Sequence, residues 1–226
     1  MTYEATRARV ETYFDHSATE VWARLTSDAP VSRIRRTVRA GRTAMRAAIL
    51  ARLGDDLSGC RVLDAGCGAG QMTAELAARG ADVVAVDISP SLVDIAQRRL
   101  PSRLDARVNF HTGDMLDPEL GHFDHVVAMD SLIYYTRPDL VNALNRLGDR
   151  TAGRIIFTVA PRTPLLMAMW RVGQVFPRAD RSPTMVPHAP RQLSRALAVA
   201  GMADRLTPLR RISRGFYISQ AMELAP

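Results

Sequence analysis

Residues 62–70 read Val62-Leu63-Asp64-Ala65-Gly66-Cys67-Gly68-Ala69-Gly70, and the fold follows from them. A short apolar run ends in a GxGxG loop and reopens as a helix-like stretch, the setting that a nucleotide-binding glycine turn requires. Glycine is needed there because the backbone must turn sharply and approach a ligand with no Cβ in between. Asp87 stands 23 residues beyond Asp64, at the end of the next strand-like run, where a carboxylate can accept both hydroxyls of a ribose. Dinucleotide folds use GxGxxG, with a last glycine that lets helix and strand pack closely under a pyrophosphate. Here position 71 is Gln, and an acidic residue stands two before the first glycine.

Working outward, short β-branched runs alternate with helical ones. Strands are predicted at Arg61–Ala65, Asp82–Asp87, Arg107–Thr112, Phe123–Met129 and Gly153–Ala160, with two more near Asp204–Ile212 and Gly215–Met222. Helices are predicted at Gly70–Arg79, Ser89–Leu100, Pro138–Leu147 and around His188–Ala200, the second with Ser89 as N-cap and Pro90 as first helical residue. This is an α/β pattern: a Rossmann-like, doubly wound, seven-stranded and mostly parallel sheet.

Two segments lie outside it. Residues 1–59 read as a helical N-terminal extension ahead of a domain spanning 60–226. In that extension Ile34, Val38, Met45, Ile49 and Leu53 recur at helical spacing, flanked by a stripe of Arg35, Arg39, Arg42 and Arg46. The stripe is either a solvated flank or a surface facing an anion or a partner. Residues 162–190 form a lid-like insertion after strand five, an apolar helix at 164–176 followed by a proline-punctuated loop.

Composition narrows the class. The 226 residues are 47% hydrophobic and 23% charged, which fits a folded globular chain. No apolar stretch approaches the ~20 residues of a membrane span, the first residues lack the pattern of a secretory signal, and a cytoplasmic protein is expected. Two cysteines, Cys60 and Cys67, are too few for a disulfide framework or a structural zinc site, and no resident metal is expected. The net charge of +7 comes entirely from arginine, lysine being absent. It suits anionic partners in general, but no RNA-binding module is evident and the 6% aromatic content offers few stacking platforms. No nucleic-acid partner is expected.

The loop with its preceding acid resembles motif I of the class I S-adenosylmethionine-dependent methyltransferases. That resemblance implies a cofactor site of Asp64, Gly66, Cys67, Gly68 and Gly70, with Asp87 and Ile88 at the ribose. It also implies Asp114 and Met115 of Gly113-Asp114-Met115 near the adenine, and Met129 and Asp130 beside the methyl group. The Asn/Asp-Pro-Pro-aromatic turn of enzymes that methylate base amines is absent; the position reads Asp130-Ser131-Leu132-Ile133-Tyr134-Tyr135.

A longer set of segments occurs in order: Tyr13-Phe14 with Trp22, the glycine loop, Leu132-Ile133-Tyr134-Tyr135, Ala160-Pro161-Arg162-Thr163, Phe176-Pro177 and Phe216-Tyr217-Ile218-Ser219. Together they resemble the magnesium-protoporphyrin IX O-methyltransferases of (bacterio)chlorophyll biosynthesis over nearly the whole chain. The resemblance implies esterification of one propionate of the magnesium porphyrin. Such a carboxylate, with a pKa of about 4 to 5, is already ionised at neutral pH and needs no strong base, so orientation supplies much of the rate. Neutral hydroxyls orient it without holding it back, which singles out Tyr13 and Tyr134 as catalytic candidates. Tyr134 departs from the plant and cyanobacterial branch, which has His there. Phe14, Arg162 and His188 are candidate substrate contacts, His188 as an axial ligand of the porphyrin magnesium and Arg162 for the second propionate. The family also implies handover from the magnesium chelatase large subunit and peripheral contact with the photosynthetic membrane. Two alternatives stay open: a methyltransferase acting on another small molecule such as a quinone precursor, and a non-catalytic cofactor-binding module.

Overall fold

The computed structural model describes residues 2–17, 25–27, 30–162, 185–202 and 205–225. The sheet runs β3-β2-β1-β4-β5-β8-β7. Its strands are β1 Arg61–Ala65, β2 Asp82–Asp87, β3 Val108–Thr112, β4 Phe123–Ala128, β5 Thr151–Pro161, β7 Leu206–Arg214 and β8 Tyr217–Leu224. β1 to β5 are mutually parallel, and the β7–β8 hairpin adds on antiparallel through β8 against β5. An eighth, two-residue strand that the sequence pattern does not predict, β6 Pro187–His188, pairs with the end of β5.

The central strands are buried almost continuously, and successive side chains face opposite cores. Leu63, Val84, Val86, Val126, Ala128, Ile155 and Phe157 face one core, while Val62, Val83, Ala85, Val127 and Ile156 face the other. Both faces are therefore covered, as parallel strands require. Helices α5 (Arg137–Gly148) and α6 (Pro190–Val199) supply Leu140, Leu144, Leu147, Leu193 and Leu197 to the first core. Helices α2 (Arg33–Leu53) and α3 (Gln71–Ala78) supply Met45, Ile49, Leu50, Met72 and Leu76 to the second. Helix α4 (Pro90–Arg99) starts as expected, with Ser89 Oγ accepting from Leu92 N–H at 3.3 Å.

The N-terminal extension is tied into the sheet. Arg52 at the end of α2 grips Glu223 of β8 with two bonds, at 2.6 and 2.8 Å. One expectation fails: Ile34, assigned to the apolar face of this helix, is 53% exposed. Arg33, Arg35 and Arg36 on the same first turn are exposed as well. The tip of the β7–β8 hairpin meets α2 at Thr37, where Gly215 comes so close that a Cβ would stand 2.6 Å from Thr37 Oγ1. Helix α1 (Tyr3–Thr12) runs into a π-helical turn, Tyr13–Ser17. Of the lid-like insertion, 163–184, with the helix expected at 164–176, lies outside the described residues. No helix among the described residues is long and apolar enough to cross a membrane.

Candidate active site

Strand order reverses between β1 and β4, and in such sheets ligands bind beyond the strands' carboxyl ends at that reversal. A cleft of about 800 Å³, its open mouth included, lies there. The glycine loop forms its floor. Gly66 and Cys67 donate their N–H groups to the Val86 carbonyl at 2.8 and 2.9 Å, fastening the turn to β2. Gly66 has φ +84° and no room for a side chain, because its Cβ would collide with that of Ser131. Gly68, at φ +53°, faces open space. A backbone that turns this way and leaves a vacant edge is a cradle for a ligand.

Asp87 ends β2 with both oxygens engaged: Oδ2 accepts from Gly68 N–H at 2.8 Å and Oδ1 from Ser89 N–H at 3.0 Å. Its carbonyl accepts from Gly113 at 2.9 Å, joining the loops after β2 and β3. Burial raises its pKa, and the two loop N–H groups work against that rise. Asp64 is 1% exposed and receives the Thr73 hydroxyl at 2.6 Å. Burial, with Asp87 nearby as a further charge, pushes it up to about 7.

After β4 the chain makes a strained turn. Asp130 is the one non-glycine residue with positive φ among the described residues, at +59°. Its side chain over-determines that conformation. Arg42 of α2 donates to Oδ2 at 2.5 Å, the Tyr217 hydroxyl donates at 3.1 Å to Oδ1, and Thr158 Oγ1 donates to Oδ1 at 3.1 Å. Asp130 N–H in turn donates to Thr158 Oγ1 at 2.8 Å. Desolvation and the Asp130 charge raise the Tyr217 pKa, so its hydroxyl remains a donor.

The structure brings most of the sequence-predicted residues to this one cleft. Gly66, Cys67, Gly68, Asp87, Ile88, Asp114, Met115, Met129, Asp130, Tyr134 and Phe14 all line it. Phe14 meets Tyr134 edge to face at 6.0 Å, with Val10 and Ile133 in the same small cluster. Tyr134 is buried, and its pKa is raised, first by desolvation and then by Asp130.

Five predicted residues stand elsewhere. Asp64 lies behind the loop, in a smaller adjoining cavity with Arg42, Arg46 and Gln71. Gly70 is the left-handed N-cap of α3, backed against Ala96. Tyr13 packs edge-on to Phe14 at 5.1 Å and does not itself line the described cleft. Arg162 and His188 line a separate cavity with Thr136, Arg137 and Gln192. The His188 ring is buried there and its Nε2 donates to the Tyr135 carbonyl at 3.1 Å; desolvation lowers its pKa.

Several cleft residues escape the sequence pattern: Tyr3 and Arg7 on α1, Arg42 on α2, Ser131 and Tyr135. Arg42 belongs to the arginine stripe, whose helical spacing was visible although its inward direction was not. Among the described residues no cluster of metal-ligating side chains is found.

The cleft suits S-adenosylmethionine. Gly68 and Gly113 both leave open space at positive φ, buried Asp87 meets the loop, and the apolar walls of Ile88, Leu92 and Met115 can enclose a purine.

Comparison with known proteins agrees. A family model described as "Magnesium-protoporphyrin IX methyltransferase C-terminus" matches residues 128–226, and a general methyltransferase domain matches 62–151. The magnesium-protoporphyrin O-methyltransferase of Rhodobacter capsulatus is 59% identical over 99% of this chain and 98% of its own. The crystal structure of magnesium protoporphyrin IX methyltransferase from Synechocystis PCC 6803 with bound S-adenosylhomocysteine superposes with a TM-score of 0.82. It is 27% identical, covering 97% of this chain and 99% of that one. A ubiquinone biosynthesis O-methyltransferase of Xanthomonas oryzae is 36% identical, but over only 52% of this chain and 50% of its own. With likeness to the porphyrin enzyme running from end to end and a cleft built for the methyl donor, the chain belongs to the magnesium-protoporphyrin O-methyltransferase family, among the class I S-adenosylmethionine-dependent methyltransferases.

Proposed function

We propose that this protein transfers the methyl group of S-adenosylmethionine to a propionate carboxylate of magnesium protoporphyrin IX. The products are the monomethyl ester and S-adenosylhomocysteine, and the step belongs to bacteriochlorophyll biosynthesis. The whole-length likeness to the R. capsulatus enzyme carries this reading. The quinone alternative rests on a likeness confined to about half of each chain.

Bound S-adenosylmethionine supplies a methyl group made electrophilic by its sulfonium. The chain's own part is to hold, orient and exclude water. Asp87 fixes the loop through Gly68 and Ser89 rather than acting as a base, since each of its oxygens already accepts a backbone N–H. Asp130 is likewise occupied by Arg42, Thr158 and Tyr217. An ionised propionate needs neither as a base. Arg42, the cation beside the β4 turn, is neutralised by Asp130, so it does not clamp the attacking carboxylate and blunt it. Phe14 and Tyr134 offer the apolar edge on which a flat macrocycle can rest, with the hydroxyls of Tyr134 and Tyr13 to orient the carboxylate.

Purified protein incubated with methyl-labelled S-adenosylmethionine tests this, in parallel with magnesium protoporphyrin IX, metal-free protoporphyrin IX, a quinone precursor or no acceptor. Base-labile label in the magnesium porphyrin is expected. Label in the quinone precursor alone would move the assignment to that class.

For delivery we infer a cytoplasmic protein that receives its porphyrin from the magnesium chelatase large subunit and touches the photosynthetic membrane peripherally. The support is a basic and apolar surface: Arg33, Arg35 and Arg36 are exposed on the first turns of α2 beside Ile34, and Phe216 at the hairpin tip is 63% exposed. Arginine with a projecting aromatic suits an anionic lipid interface. Co-sedimentation with anionic against neutral vesicles checks it.

A further inference from the structure

The second cavity, of about 410 Å³ with its mouth included, lies where the turn carrying Tyr134 and Tyr135 runs on into α5. Arg137 of α5 and Arg162 just past β5 both line it, and among the described residues no carboxylate does. Neither guanidinium is paired among the described residues. Asp139, the acid closest in sequence to Arg137, is committed to its own helix cap, where it accepts the Thr136 hydroxyl at 2.5 Å. Both arginines are exposed, so an arriving group can reach them. Two unpaired positive charges in a concave site without an acid suit an anion.

The short strand β6 builds this cavity. Pairing of Ala160 with Pro187 and of Pro161 with His188 lays the returning chain beside the end of β5. Arg162 N–H donates to the His188 carbonyl at 3.2 Å, and Val186 N–H donates to the Ile133 carbonyl at 2.8 Å. The return is thus stitched to β5 and to the Tyr134 turn at once. His188, 4% exposed, forms a buried wall, and Gln192 of α6 adds an amide. Helix α6 begins here with no acid in its first turn, so its dipole adds to the two arginines. β5 is the neighbour of β4, and Thr158, which holds Asp130, stands four residues before Arg162 on the same strand. That is about 13 Å at the rise of a strand, which puts the cavity on the side of the cleft where Asp130 lies.

We propose that Arg137 and Arg162 seat the propionate of magnesium protoporphyrin IX that does not react, and thereby limit the reaction to a monoester. This rests on the proposed acceptor, which carries two propionates on neighbouring pyrrole rings. An attacking carboxylate must keep its lone pairs free, and Arg42 leaves it so because Asp130 neutralises that arginine. The spectator carboxylate has no such requirement and can take forked, charge-assisted bonds. Holding it fixes which propionate reaches the methyl group. It also disfavours a second turnover, since a monoester bound the other way round would offer the arginines a neutral ester in place of a charge.

The test compares magnesium protoporphyrin IX with an analogue in which the propionate that the wild type leaves free is a neutral methylamide. Wild-type kcat/KM is expected to be about tenfold lower for the amide, the scale of a lost hydrogen bond between charged partners. Arg137→Gln and Arg162→Gln should each lower kcat/KM for the diacid and shrink its advantage over the amide, while S-adenosylhomocysteine affinity by calorimetry stays at the wild-type value. Arg191→Gln, which removes an exposed arginine of α6 outside the cavity, should keep the full advantage. On long incubation the ratio of diester to monoester rises in the two cavity variants. A wild type indifferent to the amide refutes the proposal, and that measurement does not depend on how any variant folds. An advantage undiminished in both cavity variants refutes it too, as does equal weakening of diacid and amide, which would make the arginines supports of the fold. These results leave the acceptor assignment intact. A wild type that binds S-adenosylhomocysteine but methylates no porphyrin overturns both.

Discussion

Gly41 of α2 lies directly under the ring of Tyr217: a Cβ at Gly41 would stand 2.5 Å from Tyr217 Cδ1 and 2.7 Å from its Cβ and Cγ. The missing side chain is what lets the first residue of β8 cross the helix and place its hydroxyl on Asp130. Gly41→Ala is therefore expected to overpack this crossing, costing about 1 to 3 kcal/mol, and to push the hydroxyl away from the carboxylate. Thermal melts and steady-state kinetics check it. A variant as stable and active as the wild type would mean that β8 has slack at this point.

The left-handed turn at Asp130 depends on its partners rather than on glycine. Asn tolerates the same backbone region, so Asp130→Asn separates charge from conformation. It leaves the half-buried Arg42 without its counter-charge, and a stability loss of about 2 to 3 kcal/mol is expected, below that of a fully buried pair. Tyr217→Phe removes one donor and should cost about 1 kcal/mol. Because both act on one carboxylate, the double variant should be less impaired than the two single effects combined. Additive losses in a double-mutant cycle would show that Tyr217 and Asp130 act independently.

Buried Asp64 makes a pH prediction whose sign is fixed. Its folded pKa of about 7 lies above the unfolded value near 3.8, so between those values the folded state binds the extra proton. Stability from this group is full at acidic pH and is lost as pH rises toward and past 7. From pH 5 to 8 the loss is on the order of 2 kcal/mol. His188 runs the opposite way, since its lowered pKa favours the folded state as the unfolded imidazole deprotonates. The test is therefore a difference: urea unfolding of apo wild type and Asp64→Asn at several pH values. The gap should shift in favour of Asn as pH rises, and a constant gap would mean that Asp64 is ionised throughout.

The strands were legible because strands covered on both faces need unbroken apolar, β-branched runs, which stand out in the amino-acid order, and β1 and β2 match their predicted limits. The glycine loop and Asp87 were legible because ligand geometry fixes their spacing. The bonds that Tyr3 and Arg7 donate to Asp114 were not, since these residues lie 111 and 107 positions away from it and no local periodicity records such a meeting. Tyr217 stood out in the C-terminal FYIS segment, yet nothing in the order of residues paired it with Asp130. Arg42 shows an intermediate case: helical spacing put it on a stripe, but only the packing of α2 on β7 and β8 turns this member of it inward. Ile34 is the converse case: its helical register matches the buried residues of α2, yet it is 53% exposed.

Tyr13 and Tyr134 follow from the same geometry. Phe14 lines the cleft and packs edge-on against both Tyr134 and Tyr13, and on the proposed function the two hydroxyls serve the acceptor carboxylate. A hydroxyl that orients an attacking carboxylate matters to the chemical step and not to cofactor affinity. Tyr134→Phe and Tyr13→Phe should each lower kcat by about tenfold, the scale of one hydrogen bond to a charged partner, with S-adenosylhomocysteine affinity unchanged by calorimetry. Rings without hydroxyls keep the packing, so a full kcat in Tyr13→Phe would reduce Tyr13 to a wedge behind Phe14 and leave the orienting role to Tyr134 alone.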